Sequence, residues 1–160
     1  MKEYRLNVIV KQYDSPDELD PKYKNLLQNA VEACKLSYAP FSGFNVGAAI
    51  LLADGKIIKG GNQENVAFPS GLCAERVAGF YAGSEYPDVP VVAVAVTSSI
   101  KGVLNKFPVR PCGSCRQSLL QSELRFKNKI TVIMAGSDRI ETVEGISSLL
   151  PLCFDLDDYK

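Results

Sequence analysis

The chain has 160 residues, 46% of them hydrophobic and 22% charged, and its 18 Lys plus Arg balance its 18 Asp plus Glu. That length suits one domain with a sizeable core, and zero net charge excludes a strongly basic nucleic-acid binder and an acidic solvating tail. Histidine is absent, which excludes Ser-His-Asp triads, Cys-His dyads and histidine metal ligands, so a transition metal held by side chains must sit on cysteine or carboxylate.

The N-terminal stretch MKEYRLNVIVKQYDS carries no long apolar run and no small-residue cleavage site, so no leader peptide is expected. No apolar run approaches the roughly 20 residues of a membrane span. Tyr4–Tyr13 alternates in part and reads as an edge strand or ordered arm. Pro21–Tyr38 reads as a helix, with Leu26, Leu27, Ala30, Val31, Cys34 and Tyr38 near helical spacing, ended by Ala39-Pro40-Phe41-Ser42-Gly43. Val46–Ala53, the turn Asp54-Gly55 and Lys56–Gly60 form a hairpin. Cys73–Ser84 suits a helix, and the almost wholly apolar Val89–Ser98 a buried central strand. Gly113–Leu124 reads as a helix, Ile130–Ala135 as a buried strand, Ile140–Val143 as a short edge strand and Gly145–Leu150 as a last helix. Strands alternating with helices imply an α/β fold whose sheet is covered on both faces, with residues 1–20 as an N-terminal arm on a single domain spanning 1–160.

The densest chemistry lies in Cys73-Ala74-Glu75 and Pro111-Cys112-Gly113-Ser114-Cys115. The C-x-x-C spacing lets Cys112 and Cys115 meet one ion, and Cys73 adds a third thiolate. Three protein ligands leave a fourth tetrahedral position open, the mark of a catalytic rather than a structural zinc. Glu75, two residues from Cys73, can approach without ligating and is the one plausible general acid/base there. Both cysteine groups fall at predicted helix starts, where exposed N–H groups and the helix dipole favour thiolates. Three thiolates and Zn²⁺ sum to −1, so Arg76 and Arg116, each directly following a motif, are placed to offset that charge by hydrogen bonding to sulfur. A redox C-x-x-C pair leaves Cys73-Ala74-Glu75 unexplained. A closed structural site needs Cys34 or Cys153 as a fourth ligand, and Cys34 sits on an apolar helix face. An odd cysteine count without a leader points to free thiols in a reducing cytoplasm.

With these residues in view, the chain resembles the cytidine deaminase family, in its small homotetrameric branch with three cysteine ligands. The likeness rests on Tyr38-Ala39-Pro40-Phe41-Ser42, Phe44-Asn45-Val46-Gly47-Ala48-Ala49, Gly61-Asn62-Gln63-Glu64-Asn65, Cys73-Ala74-Glu75-Arg76, Pro111 to Gln117, and Leu149-Leu150-Pro151 with Phe154. It covers roughly residues 22–157, and several ordered motifs are far more specific than one. The resemblance implies a three-layer α-β-α sandwich on a mixed, about five-stranded sheet, with the N-terminal strand or arm as an addition. It implies one Zn²⁺ per subunit on Cys73, Cys112 and Cys115, and zinc-activated water attack on C4 of cytidine or 2′-deoxycytidine with Glu75 moving the protons. It further implies substrate contacts from Phe44 (base), Asn62 and Glu64 (ribose), Ala74 and Phe154, the last reaching a neighbouring subunit's site, and outer support from Arg76, Arg116 and Gln117.

Ala74, Ala78 and Ala82, with Gly79 and Gly83, form small-residue rows that let a helix approach a neighbour closely, either in a homotetramer or on its own sheet. The expected partners are a free nucleoside and further copies of the chain, with no nucleic acid and no membrane. The competing readings are an aminohydrolase for another cytosine nucleoside such as blasticidin S, a nucleic-acid-editing deaminase and a non-catalytic zinc protein. Zero net charge and the lack of a basic stripe oppose the second, and the intact Glu75 opposes the third.

Overall fold

The apolar run near residue 90 becomes the middle of a sheet because both of its faces find cover. The computed structural model describes residues 1–155; the end of the expected domain, 156–160, lies outside them. In chain order the elements are β1 (Lys11–Tyr13), α1 (Pro21–Ala33), β2 (Phe44–Leu52), β3 (Ile57–Gly61), α2 (Ala74–Glu85), β4 (Val91–Ile100), β5 (Val103–Leu104), α3 (Gly113–Phe126), β6 (Thr131–Ala135), β7 (Ile140–Glu144) and α4 (Ile146–Leu149). The strand order is β1-β7-β6-β4-β2-β3, with β5 paired to β4. Only β4 and β6 are parallel, and α3 lies in the connection between them; the other pairs are antiparallel.

Side-chain alternation sorts the layers. Ala49, Leu51, Ala93, Ala95, Ile133 and Ala135 point to the face that packs Leu26, Leu27 and Ala30 of α1. Ile50, Leu52, Val94, Val96, Val132 and Met134 point to the other, with Ala78 and Ala82 of α2, Leu119 and Leu120 of α3, and Ile146 of α4. The sandwich is therefore three-layered, as expected. Small residues on the α1 face let that helix lie close. A Cβ on Gly47 would stand 2.1 Å from the Ala30 carbonyl oxygen, and one on Gly60 would stand 2.6 Å from the Ala74 carbonyl oxygen on the opposite face. Completely burying a side chain such as Leu26 contributes about 1.5–3 kcal/mol. Asp20 caps α1, its side chain accepting from the Lys22 N–H at 3.0 Å, with Pro21 at the first helical position.

The five expected strands of the sheet are present. The N-terminal strand is shorter than its alternation suggests: only Lys11–Tyr13 pair, against Thr142, Glu141 and Ile140. The first helix stops at Ala33 and runs into a 3-10 turn at Cys34–Leu36. The short β5 has no signal in the sequence. It arises because Lys101 and Gly102 both take positive φ, 50° and 77°, and fold Val103 back on Ile100. The alanine row of α2 packs within the protomer, since Ala74, Ala78 and Ala82 are buried against the chain's own sheet. A Cβ on Gly79 would meet Ile50 and Leu119 at ordinary contact distance, and one on Gly83 would meet open space.

Candidate active site

Two helix starts build the site. Cys73 is the N-cap of α2 and Cys112 the N-cap of α3, both with extended backbone (φ −70° and −68°), while Cys115 sits in the first turn of α3. The Cys73 and Cys112 carbonyls accept the first helical bonds, from Arg76 and Arg116, each at 3.0 Å. Because α2 and α3 touch each other on one face of the sheet, their N-termini bring the three thiols together. Cys73 Sγ lies 3.7 Å from Cys112 Sγ, which lies 3.5 Å from Cys115 Sγ, and all three lie within 4.8 Å of one another. Thiolates on a tetrahedral zinc at about 2.3 Å stand about 3.8 Å from each other, so this sulfur triangle fits the ion. Among the described residues it is the one cysteine and carboxylate group with such spacing. Cys34 and Cys153 stand outside it, so no fourth sulfur closes the set.

Cys73 and Cys112 reach the wall of a cavity of about 560 Å³, and Cys115 is buried behind them. Glu75, at 4% exposure, lines the same cavity. Burial pushes its carboxyl above the usual range, and the Cys73 charge acts in the same direction. The Cys73 thiol is pulled down to about 5, first by a hydrogen bond from Cys115 and then by Arg76 and Cys112. The same Cys115–Cys73 bond, with burial and the Glu75 charge, pushes Cys115 up.

Arg76 reaches the sulfurs: its Nη2 donates to Cys73 Sγ at 3.8 Å. Arg116 turns away from the sulfurs. Its Nε donates to the Pro111 carbonyl at 2.8 Å and its Nη1 to the Leu149 carbonyl at 2.7 Å, tying the start of α3 to the C-terminal segment. Gln117 extends that tie, donating to the Phe154 carbonyl at 3.1 Å.

Phe44, Asn62 and Glu64 all line the cavity. The Asn62 side chain already works within the fold: its Oδ1 accepts from Ser37 Oγ at 2.6 Å and the Val46 N–H at 2.8 Å, and its Nδ2 donates to the Phe44 carbonyl at 3.0 Å. One amide N–H remains for a ligand. Glu64 accepts from the Phe41 N–H at 2.8 Å and from the Ser42 hydroxyl, which hold its carboxyl below the usual range. Ala74 is buried and outside the cavity lining; as first residue of α2 it has a backbone N–H with no intrahelical acceptor. Phe154 is exposed and also outside the lining within one protomer.

The sequence reading passed over Phe68 and Arg110, both of which line the cavity. Phe68 meets Phe41 edge-on with ring centroids 6.3 Å apart, at the rim. Arg110 pairs with the buried Glu141 at 2.6 Å, and its place directly before Pro111-Cys112 was the available signal.

A family model described as the cytidine and deoxycytidylate deaminase zinc-binding region matches residues 20–132. The chain is 40% identical over 134 residues to a cytidine deaminase of Halalkalibacterium halodurans, covering 83% of this chain and 94% of that protein. It is 35% identical over 142 residues to a cytidine deaminase of Mycobacterium tuberculosis, covering 87% and 94%. Among solved structures, a cytidine deaminase from Burkholderia pseudomallei aligns with a TM-score of 0.68 at 34% identity, covering 81% of this chain and 97% of that one.

Proposed function

The chain belongs to the cytidine and deoxycytidylate deaminase family, and on that premise we propose that it hydrolyses free cytidine and 2′-deoxycytidine to uridine and 2′-deoxyuridine with release of ammonia, in pyrimidine salvage. The observation that carries the reading is the convergence of three sulfurs at zinc spacing beside a buried carboxylate in one cavity.

Cys73, Cys112 and Cys115 would hold the zinc. Bound there, zinc lowers the pKa of a water so that it can attack near neutral pH. The Glu75 carboxylate takes one proton from the attacking water and delivers it to ring N3; it then takes the second proton from the new C4 hydroxyl and passes it to the departing amine as the C4 carbonyl forms. Water is consumed and ammonia leaves, so the carboxylate returns to its starting state. Phe44 packs against the base. The remaining Asn62 N–H and the Glu64 carboxylate orient the sugar hydroxyls, and a negative Glu64 disfavours a phosphorylated sugar beside it. The Arg76 contact to Cys73 offsets the charge of three thiolates, while Arg116 and Gln117 act from further out through the C-terminal segment.

The reading extends to assembly and place. Phe41, Phe68 and Phe154 are exposed, the first two at the cavity rim. Exposed aromatics beside a cavity favour cover by a neighbour, which supports a homotetramer with sites near subunit interfaces and a role there for Phe154. Five free cysteines, three of them in a metal cluster, suit the reducing cytoplasm. No helix among the described residues is long and apolar enough to cross a membrane. One such domain fills the chain, with residues 1–20 as an arm.

Zinc-loaded protein is incubated separately with cytidine, 2′-deoxycytidine, blasticidin S and single-stranded DNA. Equimolar uracil nucleoside and ammonia from the first two support the proposal. Turnover confined to blasticidin S or to DNA overturns it.

A further inference from the structure

The family match begins at residue 20, and residues 1–10 contribute nothing to the cavity. That arm is nonetheless unusual for a solvent-facing segment. Tyr4, Leu6, Val8 and Val10 are 74, 55, 43 and 51% exposed. Asn7, Ile9, Lys11 and Tyr13 line one cavity together with Tyr23 and Thr142, so these odd-numbered side chains share one side, Ile9 among them at 77% exposure, and the even-numbered apolar row takes the other. Residues 4–10 form no backbone hydrogen bond outside the β1–β7 ladder. The strand they lead into, β1, is the sheet's edge, bonded on one side only. An extended chain with unpaired backbone groups and an apolar row is a template for strand addition.

The sequence of the arm says which strand fits it. Paired antiparallel with its own copy about a two-fold axis through Asn7, the arm sets Leu6 opposite Val8 and Tyr4 opposite Val10. It also sets Glu3 opposite Lys11, and symmetry forms each pair twice. Asn7 faces Asn7, where two amides can exchange hydrogen bonds. A register shifted by one residue puts the even, apolar row of one strand level with the odd row of the other, which is polar apart from Ile9. The register that instead centres on Leu6 sets Glu3 opposite Ile9 and loses both ion pairs. We propose that the N-terminal arm is a self-association strand: two copies of this chain pair antiparallel through Tyr4–Val10, with Asn7 on the two-fold axis. The pairing continues each sheet across the β1 edge and joins copies through a surface separate from the active-site cavity.

Disulfide trapping in the full-length, zinc-loaded protein tests the register. Directly opposed residues of antiparallel strands have Cα atoms about 4.5–5.5 Å apart, within disulfide reach, whereas residues two positions off the axis do not meet their own copies. Under mild oxidation Asn7→Cys should yield covalent dimer at least tenfold faster than Arg5→Cys or Ile9→Cys alone. An equimolar mixture of the last two should link at a rate comparable to Asn7→Cys. Adding Glu3→Lys to Asn7→Cys should slow linking at least fivefold, and adding Lys11→Glu as well should restore it. Peptide mass analysis assigns the linked positions, and cytidine turnover, unchanged throughout, reports that the fold is intact. Equal linking at all three positions, no linking at Asn7→Cys, or no rescue by the paired charge swap overturns the proposal.

Discussion

Cys73 and Cys112 are 39 positions apart in the chain, yet their sulfurs stand 3.7 Å from one another. The two residues are N-caps of neighbouring helices on one face of the sheet, so the packing of α2 on α3 sets the metal site. Zinc binding should therefore depend on each thiolate. Cys112→Ala or Cys115→Ala is expected to bring zinc content to below about a tenth of one ion per chain after dialysis, measured by metal analysis, because two sulfurs alone make a poor tetrahedral site. Zinc retained at full stoichiometry in either variant would contradict this.

Arg76 Nη2 approaches the Cys73 sulfur at 3.8 Å, and the buried Nε of the same guanidinium has no hydrogen-bond partner. Residues that hydrogen-bond metal ligands typically contribute about 10- to 100-fold in metal affinity or activity. Arg76→Gln should lose that much in kcat/KM. Arg116→Gln, whose hydrogen bonds go to Pro111 and Leu149 carbonyls, should show its main effect in thermal melting. Equal kinetic losses in the two variants would remove the distinction.

Asn62 and Glu64 should separate by stability. Asn62→Ala leaves the Val46 N–H, the Ser37 hydroxyl and the Phe44 carbonyl without their partner and is expected to cost about 2–3 kcal/mol in urea unfolding, along with a raised KM. Glu64→Gln keeps an acceptor for the Phe41 and Ser42 N–H groups but loses the charge, so KM should rise about tenfold with melting unchanged. A matched loss of stability in both would show that Glu64 serves the fold rather than the sugar.

Glu123 is a buried carboxylate that accepts from the backbone N–H of Ile130 at 3.0 Å and of Ile146 at 2.7 Å, and from the Ser147 hydroxyl at 2.9 Å. It anchors the start of α4 and hence the segment that Arg116 and Gln117 hold. Glu123→Ala should destabilise the protein by about 3 kcal/mol, since hydrogen bonds to a charged group contribute about 1.5–3 kcal/mol each and the freed N–H groups stay buried. A calorimetric melt unchanged from wild type would refute this anchor.

How far the sequence could be read depended on whether a residue's role was local. The apolar run of β4 and the Asp54-Gly55 turn carry their structure in their own residues: the turn joins β2 to β3 as expected, and the strand spans Val91–Ile100, two residues on from the expected Val89–Ser98. The cysteine spacing likewise carried the metal site, because N-caps and first turns are local features. Asn62 was legible as a polar residue near the site but not as the clasp of Ser37, Val46 and Phe44, since those partners lie 16 to 25 positions away. The alanine row of α2 had two possible neighbours at the same spacing, and only the close approach at Gly60 shows that the chain's own sheet takes it. Arg116 illustrates the same limit: its position beside Cys115 suggested sulfur, while its side chain runs to the Leu149 carbonyl, 33 positions on.

In the proposed reaction a zinc held by three cysteines works with the Glu75 carboxylate as proton carrier. The most direct measurement follows cytidine loss by ultraviolet absorbance in wild type and Glu75→Ala, with zinc content determined on the same samples. Rapid conversion by wild type is expected, with a loss of turnover of about 100- to 10,000-fold in the variant and equal zinc in both. Full turnover in Glu75→Ala, or zinc-loaded wild type that leaves cytidine unchanged, would contradict it.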